Sequence, residues 1–379
     1  MKLKQYLWTP DKGLSEVDKE PAVQDPQLAL YFAAPGLMND GKRFKDLQAA
    51  FPGAHLVGCT TGGEILGEDV LDGTIAVSVA KFEKGQIRVA SHALTEGENS
   101  RVAGRALATR LKADDLKAIF VLSDGTKVNG SDLVTGIRDV VGENAIITGG
   151  LAGDGADFKQ TLVGCDAAPA EGMLAAIGFF GDISIRHGSF GGWDRFGPER
   201  IITKSEGNIL YELDSEPALD LYKRYLGDEA QRLPASALLF PLSVRSGAED
   251  KGDVVRTVVG IDETRKAMIF AGDVPQGYVA QLMRGNFDHL VEGAQKAAEQ
   301  AGGGGEEESR LAILISCIGR KLLLDQRIVE EVEAVAPVLG PKARLTGFYS
   351  YGEISPHGFT GKCELHNQTM TITVISENG

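Results

Sequence analysis

Two carboxylates stand in nearly the same phrase at opposite ends of the chain: Glu64 in GCTTGGEI (58 to 65) and Glu353 in GFYSYGEI (347 to 354). Paired acids are the raw material of general acid–base chemistry, but only where unequal surroundings separate their pKa values and a reactive neighbour lies within reach. The sequence supplies no such neighbour. An acid in a Gly-rich loop serves equally well to meet a ligand amine or to fix its own loop through backbone N–H groups. Cys59 follows His55 by four residues and could be written as a thiol nucleophile with its base. On a strand, however, that even spacing merely places both on one face. An enzyme using Cys59 or the pair Glu64 and Glu353 is therefore the competing class to a non-enzymatic binding protein.

Other chemistry is sparse. No Walker A, H-E-x-x-H or G-x-S-x-G sequence occurs, and in G58-C-T-T-G62 a threonine stands where a nucleophile would. The glycines of GGLAGDG, Gly149 and Gly150 among them, lack the Rossmann spacing. The histidines 55, 92, 187, 289, 357 and 366 form no metal-ligand cluster by spacing. A single histidine can still serve a haem as axial ligand, and His187, in IRHGSFGGWDRFG with Arg186 and Arg195 to meet propionates, is the first choice for it. The four cysteines lie far apart without a C-x-x-C pair, as expected of free thiols rather than a zinc site or disulfide scaffold.

The elements that must position these residues recur. The strand LALYFAA (28 to 34), a helix over 41–51 and the strand AHLVG lead into CTTGGEI, and TIAVSVAKF (74 to 82) follows. LAILISC (311 to 317), a helix over 325–339, RLTG with FYSYGEI, and TMTITVI (369 to 375) repeat that order. A third unit runs through AIFVLSD (118 to 124), a helix over 131–142, AIITGGLAGDG and MLAAIGFF (173 to 180). It lacks Gly-Glu-Ile, but Thr148-Gly149 stands where the last unit has Thr346-Gly347. Strand–helix–strand crossovers give parallel neighbours and leave the following loops at one edge of the sheet, so the three Gly-rich loops are expected to line a shared cleft. The small Thr60, Thr61 and Gly62 opposite Tyr349, Ser350 and Tyr351 suggest one side that admits a ligand and another that shapes it. Between the units, a strand followed by a helix after Pro217, strands in ALLFPLSV, VVRTVVGID and AMIFAGDV, a helix from Tyr278 to Ala301 and a flexible polar loop at 301–309 are expected.

The bulk numbers fit this picture. With 379 residues, 43% hydrophobic and 24% charged, the chain is expected to be globular with two domains. A formal charge of −14 without a basic stripe argues against nucleic acid and anionic membranes as partners. The first residues lack a secretory signal and no apolar run reaches membrane-spanning length, so a cytoplasmic location is expected.

The phrases GCTTGGEI, GGLAGD, GNILYELDSEPALDLYKRYLG, FAGDVPQG, SCIGRK and GFYSYGEI, with the terminal HNQTMTI, together resemble the FIST family from about residue 25 to the end. The resemblance implies an α/β fold in two halves, FIST N over 25–215 and FIST C over 216–379, with mixed sheets built from the repeated units and helices packed on them. It implies a sensory protein that binds a small ligand in a cleft between the halves and acts in trans on a histidine kinase or a cyclic-di-GMP enzyme. Amino acids are one ligand class implied; the stand-alone branch, which this chain is similar to in carrying no attached output domain, implies haem b and nitric oxide. The residues that match the family pattern, and so are expected at the cleft, are Thr60, Thr61, Gly63, Glu64, Gly149, Gly150, Asp154, Cys317, Arg320, Tyr349, Tyr351, Glu353 and Asn367, with Cys59 beside them. His366, in HNQT, is expected to be structural.

Overall fold

A computed structural model describes residues 1–247, 253–302, 309–358 and 360–377. Three six-stranded sheets share one plan. In the first, His55–Thr60 lies parallel to Leu28–Ala33, which pairs antiparallel with Ile75–Lys81, which pairs in turn with Lys2–Thr9. In the second the same places are taken by Ile146–Leu151, Leu116–Ser123, Met173–Gly181 and Gly85–Ala93. The third has Ala343–Ser350, Arg310–Cys317, Met370–Glu377 and Ile183–Phe190. The parallel pairs are bridged by helices Lys42–Ala50, Gly130–Val141 and Val329–Leu339, the crossovers that parallel strands require. The threefold repeat read from the sequence is thus the organising feature of the fold.

The fourth strand of each unit, Lys2–Thr9, Gly85–Ala93 and Ile183–Phe190, was not anticipated, because each has a mixed, half-buried pattern; the last two lie at sheet edges, and Lys2–Thr9 is flanked on its outer side only by the short Gly13–Glu16. The inner faces of all three sheets meet in one buried cluster that includes Phe32, Cys59, Phe120, Ile177, Ile315 and Phe348. Phe32 stacks on Phe348 with ring centroids 4.7 Å apart. Near-continuous apolar strands such as LAILISC follow from this geometry: the inner face meets the other sheets and the outer face meets helices.

Each unit also lends a strand to the next sheet. Glu64–Leu66, from the first unit, pairs with Ala343–Ser350 of the third; Gly352–Pro356, from the third, pairs with Ile146–Leu151 of the second; Val163–Cys165, from the second, pairs with His55–Thr60 of the first. The exchange closes a ring in which no unit is complete alone. It also brings the two repeated phrases face to face: Phe348 lies opposite Glu64 and Gly347 opposite Ile65.

The repeated glycine has a steric cause. Gly58, Gly149 and Gly347 occupy matching places opposite Tyr31, Val121 and Leu314. A Cβ at these glycines would fall 2.1, 1.9 and 1.8 Å from the carbonyl oxygens of those residues. At Gly149 the backbone is also at φ +142°. Gly149→Ala is therefore expected to cost about 2–3 kcal/mol, the upper range of overpacking, read as a lowered urea midpoint. An unchanged midpoint would mean that the strands part there freely.

The third unit is interrupted between Phe190 and Arg310 by a module built on a nine-stranded antiparallel sheet, with helix Ala218–Leu226 packed on it. The helix expected from Tyr278 to Ala301 begins instead at Phe287, where the Asn286 side chain accepts hydrogen bonds from the Asp288 and His289 N–H groups. Val279–Gly285 is a strand pairing with Leu242–Arg245 and Arg200–Glu206. Partners distant in sequence decide that segment, and its local pattern does not reveal them. Of ALLFPLSV only the last three residues are strand, in Leu242–Arg245, after a 3₁₀ turn at Ala235–Leu239. The loop expected at 301–309 lies largely outside the described residues. The division expected near residue 215 falls within the inserted module, between Ile209–Leu213 and Ala218–Leu226.

Candidate functional site

The three Gly-rich loops converge, but they knit into one another more than they open. Gly62 N–H donates to Tyr349 O at 2.8 Å, Tyr349 N–H to Gly63 O at 2.9 Å, Gly153 N–H to Thr60 O at 3.0 Å and Tyr351 N–H to Leu151 O at 3.2 Å. The space beside Gly62 is occupied: a Cβ there would lie 2.6 Å from Ile318 Cδ1. Gly150 is backed in the same way, since a Cβ on it would lie 2.9 Å from Ile315 Cγ2.

Glu64 and Glu353 are buried and bound alike. Glu64 accepts from Thr61 Oγ1 at 2.5 Å and from the Thr74 N–H and Oγ1 at 3.1 and 2.7 Å. Glu353 accepts from Ser350 Oγ at 2.6 Å and from the Thr369 N–H and Oγ1 at 3.1 and 2.9 Å. Each acid thus ties its loop to the residue that starts the unit's antiparallel strand. The middle unit does the same job with Asp124, which accepts from Gly172 N–H at 2.7 Å and Thr161 Oγ1 at 2.7 Å. Asp124 was missed because it comes from the end of the preceding strand. Burial, the leading cause, pushes Glu64 up to about 7 and Glu353 up to about 8.

The remaining sequence candidates divide. Cys59 is buried in the central core with its thiol pushed well above the ordinary range, chiefly by burial, while His55 faces Asp166 at 2.7 Å. Thr60 Oγ1 accepts from Leu162 N–H, and Gly63 N–H donates to Thr61 Oγ1. Cys317 is buried and its thiol is likewise raised by burial. Arg320 donates to Glu331 and to the Gly191 and Leu290 carbonyls, and Tyr349 OH donates to Glu331 at 2.8 Å. Asn367 reaches Thr257 N–H and Tyr351 O, both at 3.5 Å. His366 Nε2 lies 3.0 Å from Ser355 O, its ring stacked over His357, and burial depresses it to about 3.

Tyr351 and Asp154 alone of these approach open space. Tyr351 OH donates to the Asp154 carboxylate, and Asp154 also accepts from the N–H groups of Lys159 and Gln160 at 2.8 Å. The Phe158 ring stacks on Tyr351 with centroids 4.3 Å apart and planes at 13°. This rigid aromatic pair forms one wall of a cavity of about 380 Å³. Thr126, Asn129 and Leu151 continue that wall, and Asn208, Val259, Phe270 and Ala271 of the inserted module close the other side. The cavity thus lies on the seam between the three-sheet body and the module. Phe158 and Val259 at its rim are 38% and 40% exposed. Phe158, Asn208 and Phe270 escaped the sequence reading, since nothing local ties them to the repeated loops.

His187 lies on Ile183–Phe190, is half-buried, and is depressed by that burial. No histidine lines any described cavity, and no group of three or more metal-ligating side chains forms among the described residues. No helix of the described residues is long and apolar enough to cross a membrane.

Among known proteins, the FIST N domain matches residues 27–216 and the FIST C domain residues 218–356. The uncharacterized protein MJ1623 of Methanocaldococcus jannaschii is 21% identical over 324 residues, covering 77% of this chain and 60% of that protein. The chain thus spans about 60% of the length of the relative it matches. A crystal structure of cyanuric acid hydrolase from A. caulinodans aligns over 93% of this chain and 90% of its own, at 11% identity and a TM-score of 0.35. A likeness that loose carries no argument.

Proposed function

Since the chain belongs to the FIST family, whose domains are sensory and bind small ligands, we propose that it is a non-enzymatic sensor holding a small metabolite in the seam cavity. The observation that carries this reading is the Phe158–Tyr351 wall facing Asn208 and Phe270 across about 380 Å³. An aromatic face with a few convergent hydroxyl and amide groups, and Lys127 among the lining residues, suits an amino-acid-sized ligand with an apolar or aromatic part. A ligand there touches both the three-sheet body and the module, so its binding would bias how they sit together and thus what a separate signalling partner, a histidine kinase or cyclic-di-GMP enzyme, meets. The buried Cys59 thiol and the fully engaged Glu64 and Glu353 favour a binding role over the enzymatic alternative. The haem-based nitric-oxide version finds no support in the setting of His187. A Soret band after haem reconstitution that shifts in His187→Ala would reinstate it.

The test is a thermal-shift and calorimetric screen of amino acids and related metabolites on the full chain. A ligand at a hundredfold excess over its Kd adds about 2.7 kcal/mol of stability. Tyr351→Ala and Phe158→Ala are each expected to weaken binding at least about tenfold, since an aromatic contact is worth roughly 0.5–1.5 kcal/mol beyond the area it buries. Tyr351→Ala that binds the same ligand unchanged would move the site elsewhere.

A further inference from the structure

Beyond the Asn129–Asp273 hydrogen bond (3.0 Å) that closes one end of the seam cavity lies a second cleft, of about 360 Å³. Helix Gly130–Val141 turns Ser131, Val134, Thr135 and Arg138 toward it, the i, i+3, i+4, i+7 face. Opposite stand Arg245 and Arg256 of the inserted module, with Lys362 at the rim. Four cationic side chains thus meet two acidic ones, Asp273 and Glu364, in a protein whose formal charge is −14.

Arg256 is the anomaly. It is 6% exposed, and its guanidinium is held by backbone carbonyls: Nε donates to Asp273 O at 2.9 Å, and Nη1 to Leu365 O at 2.9 Å and Val255 O at 3.3 Å. Among the described residues it makes no ion pair. A buried guanidinium is ordinarily matched by a carboxylate, because taking that charge out of water costs several kcal/mol. Burial indeed disfavours its charged form, against the pull of Glu364 and Asp273. Two polar atoms on residues that line the cleft are orphans among the described residues: Ser131 Oγ and Arg138 Nε are buried with no hydrogen-bond partner there. Arg138 meets Glu143 through its Nη2, which leaves Nε unused. Arg245, by contrast, is satisfied by Glu199 at 2.5 Å and Gly247 O at 2.9 Å.

We propose that this cleft binds a small anion, through a carboxylate or phosphate group received by Arg256, Arg138, Ser131 and Lys362. Such a group would supply the counter-charge that Arg256 lacks and the acceptors that the Ser131 hydroxyl and Arg138 Nε lack. Planar bidentate recognition of carboxylate or phosphate is what guanidinium groups do best. The cleft lies apart from Tyr351 and Phe158, so this site stands or falls separately from the seam cavity.

Calorimetric titration of the full chain with sodium phosphate and with sodium succinate, in low-salt buffer with chloride as control, tests it. Saturable binding of at least one probe is expected, weakening with added salt. Tighter binding of succinate would assign the site to carboxylates and tighter binding of phosphate to phosphoryl groups. Arg256→Ala risks misfolding, because Arg256 ties the module to Leu365. The informative variant is therefore Arg138→Gln with Lys362→Gln, at the mouth, expected to raise Kd about tenfold or more. Tyr351→Ala is expected to leave anion binding intact. No saturable binding up to about 10 mM of either probe, or an unchanged Kd in the double variant, would overturn the proposal.

Discussion

Replacing Glu331 by alanine is expected to lower the free energy of unfolding by about 3–5 kcal/mol, the cost of leaving a buried charge without its partner. Arg320 and Glu331 are both 0% exposed, with Nη2 and Oε2 2.8 Å apart. The carboxylate also accepts from Arg320 Nε at 3.0 Å, Ser316 Oγ at 2.9 Å and Tyr349 OH at 2.8 Å. Removing it therefore strands a guanidinium, a phenol and a hydroxyl at once in an apolar surround. The attraction itself need not be the source of the loss, since well-packed apolar residues often replace such pairs without penalty. Arg320→Met with Glu331→Leu is accordingly expected to recover at least half of what Glu331→Ala loses, measured by urea unfolding. A loss below about 1 kcal/mol in Glu331→Ala, the scale of an exposed pair, would mean that water reaches the site. The same geometry explains why Arg320 and Tyr349 carry a recognisable sequence pattern without lining a cavity: they anchor helix Val329–Leu339 to the loops.

The fold was legible where a unit carries its own explanation. Apolar runs bounded by glycine marked the inner strands; the recurring Gly58, Gly149 and Gly347, read from the sequence as glycines of the cleft loops, instead mark the close approach of parallel strands. The fourth strands were not legible, because half-buried residues with charged faces read equally well as loop. Nor was the strand exchange, which depends on which foreign sheet accepts Glu64–Leu66 or Gly352–Pro356. Register across a ring is a global property, and no local window contains it.

The site was legible only at its hinge. Tyr351 and Asp154 stood out in the repeated units; Tyr351 lines the seam cavity, and Asp154 accepts from its hydroxyl behind the wall. The facing wall comes from a module inserted into the third unit, so Asn208 and Phe270 carry no sign of the repeat. Sequence similarity between loops reported a shared structural task, fastening each loop to the head of a strand. For Glu64 and Glu353 that task explains the shared Gly-Glu-Ile, the matching hydroxyls of Thr61 and Ser350, and the matching acceptor roles toward Thr74 and Thr369.

That task has a pH signature. Ser350 Oγ lies 3.3 Å from Ser316 O and 2.6 Å from Glu353 Oε1, yet a hydroxyl has one proton to give. If it goes to Ser316, Glu353 must itself donate, as a protonated acid does. Burial raises Glu353 to about 8 and Glu64 to about 7, against roughly 4.3 in an unfolded chain. The folded state then holds more protons than the unfolded one between those values, so these acids make stability fall as pH rises through the window. His366 works the other way: depressed to about 3, it makes stability rise from there to roughly 6.5, which offsets one of the two acids below that point. The part of the decline that His366 does not oppose falls between about pH 6.5 and 8 and is expected to be on the order of 2 kcal/mol, with Glu353 the larger contributor. Glu353→Gln should remove more than half of it: the amide oxygen can accept from Thr369, and the amide N–H can donate to Ser350 Oγ as the protonated acid would. At pH 8.5 this variant is expected to be more stable than the parent chain, by urea unfolding at matched ionic strength. If it is less stable there, Glu353 is ionised in the fold and the three donors around it outweigh its burial.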